Sequence, residues 1–196
     1  NGKEEKRGKK RIIFAGEISE EKGIKSLLKC ISYIPDAGEK IELALAGGYG
    51  NVDEYNEICR LAKQCPCEVT FLGKLSQAAL AQELNQSDIF VLPSFFEGLP
   101  LVIIEAMACG LRVVCTDLPG IQKWLQANIP ENGVVFVEPP LMKNADEPIP
   151  ESLPGFEKRL ADAIVEVQYS KMPDQEDVKK ISWDGLCERL NLCFEK

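Results

Sequence analysis

The sequence predicts an α/β domain built on a doubly wound parallel sheet, and three observations carry that prediction. Six short apolar runs rich in branched side chains alternate with stretches whose apolar residues recur at helical spacing. The runs are nearly continuous rather than alternating, as expected of strands covered on both faces. Four of the corners that follow them carry glycine, acids or lysine, and ligands of such sheets sit at strand carboxyl ends.

The elements follow in order. "RIIFAGE" (11–17) reads as the first strand, and 21–34 as a helix with apolar residues at 24, 27, 28, 31 and 34. "IELALAG" (41–47) is the second strand and 52–64 its helix. "VTFLG" (69–73) is the third, followed by a short helix over 76–86 for which Ser76 is a suitable N-cap. "IFVLPS" (89–94) is the fourth and leads into a helix over 100–109. "RVVCTD" (112–117) and "GVVFVE" (133–138) complete the sheet. The proline-rich, acidic stretch 139–155 reads as a long surface loop, with helices expected at 156–168 and 182–194. No internal repeat is visible. One domain is expected over residues 11–196, with residues 1–10 a basic linker or the remnant of a domain boundary.

Composition narrows the function. With 45% hydrophobic and 28% charged residues, the 196-residue chain has the make-up of a globular domain. A net charge of −8 argues against nucleic acid as partner. The basic start "NGKEEKRGKKR" lacks an apolar run, so it is neither a signal peptide nor a membrane helix; contact with anionic lipid is the alternative to a frayed linker. Eight cysteines, at 30, 59, 65, 67, 109, 115, 187 and 193, form no C-x-x-C pair, and the chain contains no histidine. Tetrahedral zinc spacing is therefore missing, and no metal site is expected. "QCPCE" (64–68) is the best metal or redox candidate, against a favoured reading as a turn around Pro66. A reduced, cytoplasmic chain is expected. Without histidine, any chemistry runs on carboxylates, lysines or backbone.

One segment breaks its own pattern. In "FFEGLPLVIIEAMACG" (95–110) every side chain from Leu101 to Cys109 is apolar except Glu105. An ionised acid buried there without a partner would cost several kcal/mol or be driven neutral. A carboxylate turned into a strand-end cleft can instead accept hydrogen bonds from two vicinal hydroxyls, as on a ribose. Pro100 is suited to the first helical position, Gly98 permits close backbone approach, and the helix start favours an anion such as phosphate. The other corners are "GEISEEKG" (16–23), "GGYG" (47–50) and "GKLS" (73–76).

"FVLPSFFEGLPLVIIEAMACGLRVVCTD" resembles the signature of the retaining, GT-B-fold glycosyltransferases of group 1, which transfer sugars from nucleotide donors. The pattern is E-x7-E, here Glu97 and Glu105, followed by "EAMACG". "SEEKG" resembles the family's S-P-E-K-G, "VTFLGKLS" its V-x-F-L-G, and "ISWDGLCERL" its closing F-S-W segment. The resemblance implies a Rossmann-like C-terminal, donor-binding half of a GT-B fold. It implies that Glu105 binds the donor ribose and that Glu97, the catalytic candidate, lies at the transferred sugar. Backbone groups of Gly98 and Leu99 would hold the donor, and Lys22 would pair with its diphosphate. Cationic help at a leaving phosphate is the expected electrostatic device. The substrate implied is a UDP- or GDP-sugar, with no cofactor. The acceptor, a glycan or a lipid-linked glycan, would be bound by an N-terminal domain absent from this chain. The implied setting is polysaccharide biosynthesis in the cytoplasm, at the inner membrane face where the acceptor is lipid-linked.

The sequence departs from the family at one position. The expected arginine after the first strand's glycine is Glu17, in "AGEIS". A unit-charge contact at ~4 Å is worth roughly 4 kcal/mol at a surface-like dielectric, so an inward-facing acid there opposes a diphosphate unless Lys22 or Lys74 carries the load. Plainer readings stand beside these: Glu97 as a solvated loop acid, Glu105 paired with a neighbouring lysine such as Lys123, Lys22 as an exposed helix-start lysine, and "GGYG" as a turn rather than a phosphate cradle. "GGYG" is not G-x-G-x-x-G, which disfavours a nicotinamide dehydrogenase. Competing functions are a non-catalytic sugar-nucleotide binding module and a GT-B sugar-nucleotide epimerase.

Overall fold

The computed structural model describes residues 8–181. Strands β1 (Lys10–Ala15), β2 (Ile41–Ala46), β3 (Glu68–Gly73), β4 (Ile89–Leu92), β5 (Arg112–Thr116) and β6 (Val135–Val137) form one sheet in the order β3-β2-β1-β4-β5-β6. Every pairing is parallel. Successive strands step outward from β1 in one direction and from β4 in the other. The order therefore reverses between β1 and β4, the topological switch point beside which ligands of such sheets bind.

The strands are buried on both faces. Ile12, Ile13 and Phe14 in β1, and Phe90 and Val91 in β4, have no exposed surface, although sequence neighbours in a strand point to opposite faces. Helices supply the cover: α1 (Ile24–Cys30), α2 (Ala37–Lys40), α3 (Val52–Ala62), α4 (Gln77–Asn85), α5 (Leu101–Ala108), α6 (Ile121–Asn128), α7 (Leu153–Glu166) and α8 (Gln175–Lys180). α1 packs against α3 and α7, and α5 against α8. β3 and β6 are the edge strands, and both are only partly covered.

Several elements differ in detail from expectation. α1 ends at Cys30 and a 3-10 turn covers Ile31–Tyr33. Pro100 is the N-cap of α5 and not its first helical residue. α7 begins three residues early because Pro154 is tolerated in the first helical turn. Within the expected surface loop, Met142 bridges Pro148 and the Lys143 N–H donates to the Glu147 carbonyl. α6 was not expected; it starts at Gly120, φ 92°, with no side-chain cap to announce it. The helix expected at 182–194 lies outside the described residues.

Candidate functional site

Two glycines shape the crevice. A Cβ on Gly23, φ 70°, would stand 2.0 Å from the Pro93 carbonyl oxygen, so the loop after β1 lies against the end of β4. A Cβ on Gly47 would stand 1.6 Å from the Gly16 carbonyl oxygen, so the loops after β1 and β2 are equally close. Backbone hydrogen bonds lock these contacts: Phe95 N–H to the Glu21 carbonyl at 2.9 Å, and Ile18 N–H to the Gly48 carbonyl at 2.8 Å.

The first contact brings Lys22 and Glu97 together. Lys22 Nζ lies 3.1 Å from Glu97 Oε1 and donates to the Phe96 carbonyl at 3.1 Å, with Glu21 Oε1 at 3.4 Å. Ser94 Oγ, fully buried, donates to the same Glu97 oxygen at 2.7 Å. Glu97 is thus held from two sides, which the solvated-loop reading did not foresee. Its charge also reaches Cys115 at the end of β5, whose thiol burial pushes up and Glu97 pushes further. Ser94 was not among the sequence candidates; its place three residues before Glu97, at the strand end, was the available signal.

The second contact floors a cleft of about 580 Å³ at the carboxyl ends of β1, β2 and β3. Glu17, Gly47, Gly48, Tyr49, Lys74 and Glu105 are among its walls. Glu105 reaches it from the second turn of α5, beside Val102. Its carboxylate has no hydrogen bond or ion pair among the described residues, and so does not pair with Lys123. Glu17 also turns into the cleft: a Cβ on Gly50 would stand 2.8 Å from its Oε1. The Lys74 stem crosses Gly48, where a Cβ would stand 2.8 Å from Cε, and its ammonium has no ion-pair partner among the described residues. Tyr49 stacks on Tyr55, ring centroids 4.1 Å apart, and Tyr55 meets Phe71 edge-on. That wall too was missed, because "GGYG" gives no sign that its tyrosine finds a partner six residues on.

Gly98 and Leu99 are exposed on the loop ahead of α5 and are not in the cleft wall. A Cβ on Gly98 would meet nothing within 4 Å, so packing within the protein does not require glycine there. The loop carrying Lys22 is pinned from outside: Lys25 Nζ lies 2.7 Å from both Glu20 and Glu57, and the Glu20 N–H donates to Glu54. Burial alone would lower the Lys25 pKa, but the two carboxylates together raise it.

A second cavity, of about 470 Å³, opens at the opposite end of the sheet among Ile12, Ile34, Ile41, Ile89 and Ile164. It adjoins the first described residues and lacks the glycine corners. Among the described residues no cluster of side chains suits a metal, and no helix is long and apolar enough to cross a membrane. The "ISWDGLCERL" segment lies beyond the described residues save for Ile181.

The chain is 27% identical over 180 residues to an uncharacterized glycosyltransferase of Methanocaldococcus jannaschii, covering 91% of this chain and 43% of that protein. Its fold is similar to that of sucrose-phosphate synthase from Thermosynechococcus elongatus, with a TM-score of 0.62 at 24% identity over 95% of this chain and 45% of that one. It is also similar to that of the pneumococcal O-GlcNAc transferase GtfA in complex with UDP and GlcNAc, with a TM-score of 0.65 at 17% identity over 98% and 37%. The chain thus spans less than half the length of each. At these identities the two structures bear on the fold alone, a Rossmann-like domain of GT-B type. Residues 1–153 match the model of the family described as glycosyl transferases group 1, and to that family the chain belongs.

Proposed function

We propose that this chain is the donor-binding domain of a retaining glycosyltransferase that moves a hexose-type sugar from a nucleoside-diphosphate carrier to a glycan or lipid-linked acceptor. The observation that carries the reading is Glu105, a carboxylate unpaired among the described residues on the wall of a strand-end cleft. It accepts hydrogen bonds from the two ribose hydroxyls. Lys22 and Lys74 face the diphosphate, and Glu97, oriented by Ser94, lies at the transferred sugar. Backbone groups of Gly98 and Leu99 complete the sugar side. Lys22 already touches three acceptors, so nucleotide binding exchanges one of them for a phosphate oxygen. The UDP named with the pneumococcal structure makes UDP the first nucleotide to try, with GDP beside it. The acceptor belongs to a second domain, and the complete protein works in the cytoplasm, peripheral to the membrane when its acceptor is lipid-linked.

Calorimetric titration of UDP and GDP into wild type and Glu105→Ala tests this. Hydrogen bonds to a charged group contribute about 1.5–3 kcal/mol, so affinity should fall roughly ten- to a hundredfold. Equal affinity removes Glu105 from the site and the reading with it. Glu17 in the cleft favours a second reading, a sugar-nucleotide binding module without catalysis. Incubating the full-length protein with a sugar nucleotide, with and without acceptor, separates transfer, epimerisation and simple binding.

A further inference from the structure

The turn between α3 and β3 carries two thiols that the donor cleft does not use. Cys65 and Cys67 flank Pro66, and their Sγ atoms lie 3.6 Å apart. In an extended strand, residues two apart share a face at nearly 7 Å; here the turn draws the sulfurs into contact. It is closed by Gln64 N–H to the Leu61 carbonyl at 2.9 Å and Cys65 N–H to the Ala62 carbonyl at 3.2 Å. The two thiols differ in setting. Cys65 is partly exposed, whereas Cys67 is 7% exposed. The two sulfurs share a hydrogen bond that either thiol can donate, and the Cys65 thiol also reaches the Leu28 carbonyl at 3.7 Å. With the Cys67 thiol and backbone N–H donating, the Cys65 pKa comes down to about 7, against the opposing push of burial. Donating to Cys65, together with burial, pushes the Cys67 thiol up. The neighbouring Cys30 is fully buried, donates to the Leu27 carbonyl at 3.1 Å and is held protonated by burial. One reachable thiolate with a protonated thiol at its side is the arrangement of an attacking and a resolving cysteine.

We propose that Cys65 and Cys67 form a vicinal dithiol that reacts with low-molecular-weight disulfides and is reversibly oxidised to an intrachain Cys65–Cys67 bond. The Cys65 thiolate attacks one sulfur of the reagent RSSR; a protein–reagent S–S bond forms, the reagent's own S–S bond breaks, and RS⁻ leaves and is protonated by solvent. Cys67 then releases its proton to solvent and attacks Cys65 Sγ, expelling the second RS⁻. Two electrons pass from the cysteine pair to the reagent, which leaves as two RSH. The pair precedes β3 and the cleft follows it, so the site is separate from the donor site and does not rest on the function proposed for it.

The test treats the full chain with oxidised glutathione at neutral pH, quenches in acid, alkylates and maps the peptides by mass spectrometry. Wild type should lose both alkylation sites and show one disulfide within the Cys65–Cys67 peptide. Cys67→Ser should stop at a stable glutathione adduct on Cys65, and Cys65→Ser should accumulate neither product at this turn. Alkylation of reduced Cys65 by iodoacetamide should speed up about tenfold between roughly pH 6 and 8. Wild type that keeps both thiols alkylatable, or an adduct that forms on Cys67 instead, overturns the proposal.

Discussion

Glu17 and Lys74 share one cleft, and on the function proposed above the balance between them sets how well it would hold a diphosphate. Both are exposed, so solvent screens each well below the unit-charge figure for a surface contact. Glu17→Arg should therefore tighten UDP or GDP about tenfold in a calorimetric titration, and weaker binding would show that the acid does not face the phosphates. Lys22→Ala is expected to weaken the same nucleotide severely, and unchanged affinity would remove Lys22 from the site. The E-x7-E spacing made both glutamates legible without coordinates. Their different circumstances were not: Glu97 is held by Lys22 and Ser94, while Glu105 is left unpaired among the described residues. That difference depends on which loops meet, and residues 22 and 97 meet only because Gly23 lets its loop touch Pro93.

At the scale of elements, α1 and α7 enclose a costly group. Glu157 is 4% exposed, its Oε1 has no hydrogen-bond partner, and Lys29 lies 3.8 Å away. Burial raises its pKa, and Lys29 and Ser26 offset this only in part. A carboxyl whose folded pKa lies above its unfolded value favours the fold below the unfolded value, and that contribution is lost as pH rises through the folded one. Glu157→Gln should accordingly be more stable than wild type near pH 7.5, by about 1 kcal/mol, with the gap closing toward pH 4. Equal melting temperatures throughout would show that the carboxylate finds compensation. Gly47→Ala should cost about 3 kcal/mol or more, since its Cβ would collide with the Gly16 backbone; a melting temperature within a degree or two of wild type would contradict that contact. Periodicity found the six strands because each is an apolar run. It missed α2, α6 and α8, which are short, and α6 has no side-chain cap.

For the whole molecule, the parallel run of all six strands places the candidate residues, which follow β1, β3 and β4, at one end of the sheet. On the function proposed above the acceptor is bound by a second domain, so donor binding and transfer are expected to separate. The isolated chain should bind nucleotide weakly and transfer nothing; turnover by it with any acceptor would refute this. In the full-length protein Glu97→Gln should lower kcat about a hundredfold or more, as loss of an electrostatic contact at the reacting centre does. Unchanged kcat would return Glu97 to a structural role.

Residue order alone decided which segments became strands and where the two acids sit, because burial period and motif spacing are local properties of the chain. It also exposed the substitution of Glu17 for the family's arginine. Whether that acid turns toward the cleft, which lysine is already paired and which remains available, and that two thiols flanking Pro66 touch were decided by tertiary structure. Each depends on contacts between loops from different strands, or on the course of a turn, and a side chain's charge partners are set by distances that one-dimensional spacing does not contain.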